Sequence, residues 1–292
     1  MRLNVLILLA LTLLARPAPG QQGDLAAGPA WTFLPGGAFV APLTASEQEP
    51  RVGIQKEFGS SKLKLDIGSS IDVVEYRDRA NLIRLGFDFF TFALTTSAQG
   101  LRLQVDAVDG FFGGHVTFVP ASEWGEGIQL RLRILHQSGH LIDGHWDSNS
   151  GKWRDGKEPI PYTRDFGEFL AAYRWSWEDI AMRIYSGASY ATLARPDDLA
   201  RWGSLHGMEV YTTGLSGSLF DKPLIAYAAM HLALNGIPTY YVTERLEAGF
   251  KLGSWEGTGI RLHVSYRNGL EPFSQYYFVR REYWSGGITM EP

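Results

Sequence analysis

Residues Ile260 to Arg267 read IRLHVSYR. Side chains of an extended chain alternate between its two faces, so Ile260, Leu262, Val264 and Tyr266 share one face and Arg261, His263, Ser265 and Arg267 the other. That is a strand with one apolar and one polar side. The same period runs through GIQLRLRILH (Gly127–His136), where Ile128, Leu130, Leu132 and Ile134 oppose Gln129, Arg131 and Arg133. It recurs in LEAGFKL (Leu246–Leu252) and in EDIAMRIYSG (Glu178–Gly187). Between such runs lie turn signals: GSSK, PASEWGEG, LARPDD, SGSLFDKP, LNGIP, WEGTG and RNGLEP.

Working outward gives about twelve strand candidates, at 51–58, 62–73, 81–96, 101–118, 127–141, 165–175, 178–192, 204–215, 222–234, 240–253, 258–267 and 277–290. Many exceed the usual five or six residues. A sandwich and a membrane barrel share this alternation, one with its apolar face inward and the other with it in lipid. Strand length, mid-strand Arg and Lys, and Trp or Tyr near strand ends (Trp175, Trp177, Tyr211, Trp255, Tyr283, Trp284) favour the barrel. The expected fold is all-β, an antiparallel transmembrane barrel of about 12 strands.

Composition agrees. A 13% aromatic share and 33 glycines in 292 residues suit strands, while a net charge of −4 with scattered Lys and Arg gives nucleic acid no basic patch. No cysteine is present, which removes disulfides, thiolate metal sites and a lipidated cysteine. The opening MRLNVLILLALTLLARPAPGQQ has one charge at Arg2 ahead of an apolar run from Leu3 to Ala15, and a small-residue end, as in a secretory signal peptide. The expected organisation is a leader at 1–20, an N-terminal periplasmic segment at 21–50 and the barrel at 51–292.

Four stretches resemble an uncharacterised bacterial outer-membrane β-barrel family: FLPGGAFVAPLTASEQEPRVGI (Phe33–Ile54), RLRILHQSGHLIDG (Arg131–Gly144), SLHGMEVYT (Ser204–Thr212) and LHVSYRNGLEPFSQYY (Leu262–Tyr277). The resemblance spans essentially the mature chain and implies outer-membrane location and a barrel. Lipids, lipopolysaccharide and the barrel assembly machinery would then be its partners. It brings no activity. Such barrels often end on an aromatic residue, whereas this chain ends ITMEP.

The stretch ILHQSGHLIDGHW (Ile134–Trp146) carries the candidate chemistry. Continuing the even count from Ile128 to Ile134 puts His136, Ser138 and His140 on the lipid-facing side. His136 could serve as general base for a nucleophilic Ser138, because residues two apart on a strand share a face. The His-x-Ser spacing resembles outer-membrane phospholipase A and the lipid A deacylases, which implies acyl-ester hydrolysis at the lipid wall. Those enzymes follow the serine with asparagine, and this chain has Gly139. Asn149, Asp143 and Asp165 are candidates to orient His136. The competing reading is a polar strand end that only bonds head groups.

His136 and His140 lie about 13 Å apart at roughly 3.3 Å per residue, too far for one ion. No cofactor is expected, with calcium entering only under the hydrolase reading; WDSNSGKWRDGKEP (Trp146–Pro159) lacks the complete calcium-loop spacing. The inward charges Arg84, Asp88, Arg102, Asp106, Arg131, Arg133, Arg174, Arg183, Arg245, Glu247, Lys251, Arg261 and Arg267 would either line a narrow channel or solute site, or fill the lumen as a salt-bridged plug.

Overall fold

Each of the twelve alternating stretches forms a strand. The computed structural model describes residues 29–35, 39–78, 81–99, 102–120, 127–212 and 218–291, so the expected leader lies outside the described residues. The strands are β1 (Val52–Glu57), β2 (Lys62–Arg77), β3 (Asn81–Gln99), β4 (Arg102–Pro120), β5 (Ile128–Leu141) and β6 (Tyr162–Trp177). The second half comprises β7 (Ile180–Arg195), β8 (Trp202–Thr212), β9 (Lys222–Ile237), β10 (Thr239–Gly253), β11 (Gly259–Leu270) and β12 (Arg280–Glu291). Every strand pairs antiparallel with the next, and β12 closes on β1 from Ser285↔Glu57 to Met290↔Val52. Closure pairs the first and last wall strands with each other, which is how a barrel removes the open edge of a long sheet.

The alternation read in sequence is the division between wall faces. Along β5, Gln129, Arg131, Arg133, Leu135 and Gln137 are buried inside the barrel while Leu132 and Ile134 are exposed outside. Outward Phe87, Phe89, Phe250, Leu262, Val264 and Ile288 extend this apolar belt around the wall. Aromatic pairs border it: Tyr190 with Trp202 and Tyr266 with Trp284 near the end opposite the termini, Trp31 with Tyr76 near the end that holds them. The 20-residue β5–β6 connection (142–161) stands at the end opposite the termini, while β6 and β7 join through the tight turn Glu178–Asp179 at the other.

The residues ahead of β1 do not stay outside the barrel. Ala30–Phe33 pairs with the end of β2, and residues from Phe39 to Arg51 then cross the lumen. Leu43 is buried against Leu170, Tyr185 and Leu205 of the wall. Charge fixes the rest: Glu47 meets Arg245 (3.2 Å) and Arg267 (2.7 Å), Glu49 takes two bonds from Arg131 (2.6 and 2.9 Å), and Arg183 donates to the carbonyls of Ala41 (2.8 Å) and Pro42 (3.0 Å). Burial would raise the Glu47 carboxyl, but the Arg267 and Arg245 guanidiniums override it and hold the group down to about 2. The second half of the segment expected at 21–50 is thus a plug.

A second insert comes from the opposite end. The β11–β12 connection, residues 271–279, turns inward and buries Phe273 against Phe90, Phe92 and Phe111. Gly269, at φ 148, makes the turn possible, since a Cβ there would meet the backbone of Thr243. Gln275 then donates to the carbonyls of Gly139 (2.8 Å) and Ile160 (2.7 Å).

Much of the remaining lumen is occupied by paired charges. His115 lies between Asp72 (2.8 Å) and Asp88 (3.2 Å), Arg183 bonds Glu209, and Glu247 takes Arg245 and Arg261. Of the two expectations for the inward charges, the described side chains match the salt-bridged filling; that of Arg102 lies outside the described residues.

Candidate functional site

The His-x-Ser stretch lies on the outward wall, toward the end of β5 that leads into the long connection. His136 and Ser138 are half-exposed and His140 exposed, alternating with buried Leu135, Gln137 and Gly139. Pairing of β5 with β6 sets His136 directly opposite Asp165. The His136 Nδ1 to Asp165 Oδ1 distance is 2.6 Å, and the Phe112 ring packs against the imidazole with centroids 4.7 Å apart. A carboxylate at Nδ1 selects the tautomer protonated there and leaves Nε2 as the free base.

Ser138 is opposite Thr163 on β6 and Gly110 on β4, where the missing Cβ leaves space beside its hydroxyl. No hydrogen bond joins Ser138 to His136 among the described residues. The two share a face but are separated by one pleat.

Asn149 stands apart from this pair. It sits at the tip of a small hairpin, Trp146–Asp147 with Lys152–Trp153, where its backbone N–H donates to Asp147 Oδ1 (3.0 Å). Of the residues expected as orienters, the strand partner reaches the imidazole; the side chain of Asp143 lies outside the described residues. Gly139, the position where the resemblance has asparagine, faces inward. A Cβ there would collide with the Ser274 side chain, so the second insert explains the glycine.

The histidines do not converge on a metal. His145 is buried beside Trp153, and His140 points outward. Among the described residues no group of three or more His, Asp or Glu could hold an ion. Among the described side chains the outward carboxylate at this place is Asp165, already engaged by His136, and it alone does not make a calcium site.

A second polar cluster on the outward wall was not anticipated. Ser186 on β7 bonds His206 Nδ1 on β8 (2.9 Å), and His206 Nε2 contacts Ser204 (3.3 Å). Its signal was present in SLH (Ser204–His206), where the even positions are the outward ones. No protein-family model matches the chain, and no curated protein matches it.

Proposed function

We propose that this chain is an outer-membrane barrel whose outward wall hydrolyses lipid acyl esters, with Ser138 as nucleophile, His136 as general base and Asp165 orienting the imidazole. The outward apolar belt supports the membrane reading, since water does not tolerate side chains such as Ile134 and Phe89 at 69% exposure around a whole wall. The observation that carries the chemistry is the 2.6 Å contact from Asp165 to His136 Nδ1. Polar groups on a lipid-facing wall are costly to maintain, and here they have the composition of an acyl-transfer site.

In the reaction, His136 Nε2 takes the Ser138 proton as the hydroxyl oxygen attacks the ester carbonyl. The tetrahedral adduct collapses when the imidazolium returns that proton to the departing alcohol, leaving an acyl-serine. Water, activated by the same nitrogen, attacks the acyl-serine and releases the fatty acid. The Asp165 carboxylate stabilises the imidazolium between the two proton transfers. His136 and Ser138 share the outward face of β5, and the reaction needs the Ser138 hydroxyl to turn toward the imidazole while Asp165 holds it.

The plug argues against a conducting pore, because the lumen is crossed by residues 39–51 and narrowed further by paired charges of the wall. The direct test is release of fatty acid from phospholipid in mixed micelles by the purified full chain. Release that Ser138→Ala abolishes supports the reading; equal rates for both proteins reject it.

A further inference from the structure

Between the two inserts lies a cavity of about 130 Å³ inside the barrel. Its floor is the plug, Ala45 to Gln48, and its roof the inward connection at Glu271, Pro272 and Tyr277. Leu199, Ala200 and Ile237, from strand ends and turns at the end opposite the termini, form its rim. It is separate from Ser138, which faces the other side of the wall.

The polar lining is unevenly satisfied. Arg245 Nε, Arg267 Nη1 and Arg164 Nε are buried donors without an acceptor, while Gln137 Oε1 and Glu271 Oε2 are buried acceptors without a donor. Gln137, Arg245 and Arg267 are at most 3% exposed, and Glu271 is 7% exposed. Buried polar atoms left unbonded in this way cost free energy unless something between them completes the bonds. Both donors and acceptors are unfilled, so the complement must carry both kinds of group.

Charge narrows the class further. The lining has three arginines, Arg164, Arg245 and Arg267, against three glutamates, Glu47, Glu168 and Glu271. Glu47 is taken by Arg245 and Arg267, and Glu168 by Arg131 and Arg133 of the wall. Arg164 makes no ion pair among the described residues and rests over Phe166, and Glu271 is held only through Oε1, 3.4 Å from Arg281. One unmatched cation and one half-matched carboxylate face a cavity of balanced charge. A ligand with a net charge would leave that charge uncompensated in a desolvated site, whereas a dipolar one answers both ends.

We propose that this cavity binds a small zwitterion of amino-acid type, its carboxylate toward the Arg164 and Arg267 guanidiniums and its ammonium toward Glu271. Comparison with cavities of similar size gives room for about six to eight non-hydrogen atoms, so alanine fits and large side chains do not. Entry is from the end opposite the termini, and the plug makes the site a terminus, not a passage. The proposal is independent of hydrolysis at Ser138.

The test is equilibrium dialysis of radiolabelled L-alanine against the purified full chain in detergent, with folding checked by heat-modifiable gel mobility. Saturable binding is expected, with glycine competing and neither glycinamide nor N-acetylglycine doing so. Glu271→Gln is expected to weaken binding about tenfold or more, as the loss of one charge-assisted bond would. Ala233→Met, which fills the cavity without touching an ion pair, should abolish it while the barrel remains folded. Absence of saturable binding to the folded wild type overturns the proposal, as does equal competition by glycinamide or N-acetylglycine. Unchanged affinity in folded Ala233→Met locates binding elsewhere and overturns it too.

Discussion

Replacing Glu47 with glutamine removes the carboxylate that ties the plug to β10 and β11 while keeping the side chain's shape. Arg245 retains Glu247 at 2.8 Å, but Arg267 is left with only a backbone carbonyl, that of Leu270. Two routes give the size of the loss. The carboxyl is held down to about 2 although burial opposes this, and relative to an ordinary glutamate that difference is worth about 3 kcal/mol of folding free energy. Removing one partner of a buried ion pair costs about 3–5 kcal/mol. The sign follows from the lowered value: the stabilisation is present above the unfolded glutamate's pKa and is lost as pH falls toward about 2. Urea unfolding of the barrel in detergent at neutral pH should therefore show Glu47→Gln about 3 kcal/mol less stable, and the gap should narrow steadily below about pH 4.5. A variant within about 0.5 kcal/mol of wild type at neutral pH, or a gap independent of pH, would refute the plug's electrostatic anchoring.

Three further outcomes follow from the same geometry. Asp165→Asn should cut ester hydrolysis by about 10²–10⁴-fold through loss of the imidazole's tautomer control, with a stability change under about 1 kcal/mol because the pair is partly exposed. In planar bilayers the wild-type chain should be electrically silent, and deletion of residues 39–50 should produce steady conductance; current through the intact protein would count against a filled lumen. Phe273→Ala, which empties an anchor packed 5.5 Å from the Phe92 ring, should cost about 3–5 kcal/mol in the same urea experiment.

The wall was legible in the sequence because its two faces meet opposite environments, so a period of two runs along the strands except where bulges shift it, as at Asp72–Val74 and Ala191–Leu193. IRLHVSYR in β11 and IQLRLRILH in β5 show it without interruption. The inserts were not legible for the complementary reason. Residues 39–51 are turns and bends held by point contacts, Glu47 to Arg245 and Arg267 and Glu49 to Arg131 and Arg133, and no period marks such a segment. The stretch Phe33–Ile54 contains the plug and Leu262–Tyr277 the second insert, and Arg131 and Glu209 of the wall hold the plug. At the outward site, counting by twos brought His136 and Ser138 to one face. The choice of orienting residue depended on strand register across a 20-residue connection, and residue spacing carries no information about that pairing; His136↔Asp165 is fixed by the pleat of β5 against β6.

The central claim is that Ser138 is a nucleophile activated by His136. Treatment of the purified barrel with a fluorophosphonate, followed by peptide mass mapping, tests it most directly. The account predicts a single phosphonyl adduct on Ser138 that is lost in His136→Ala and formed much more slowly in Asp165→Asn. An unlabelled Ser138 in the folded wild-type protein, or labelling that persists unchanged in His136→Ala, would contradict it.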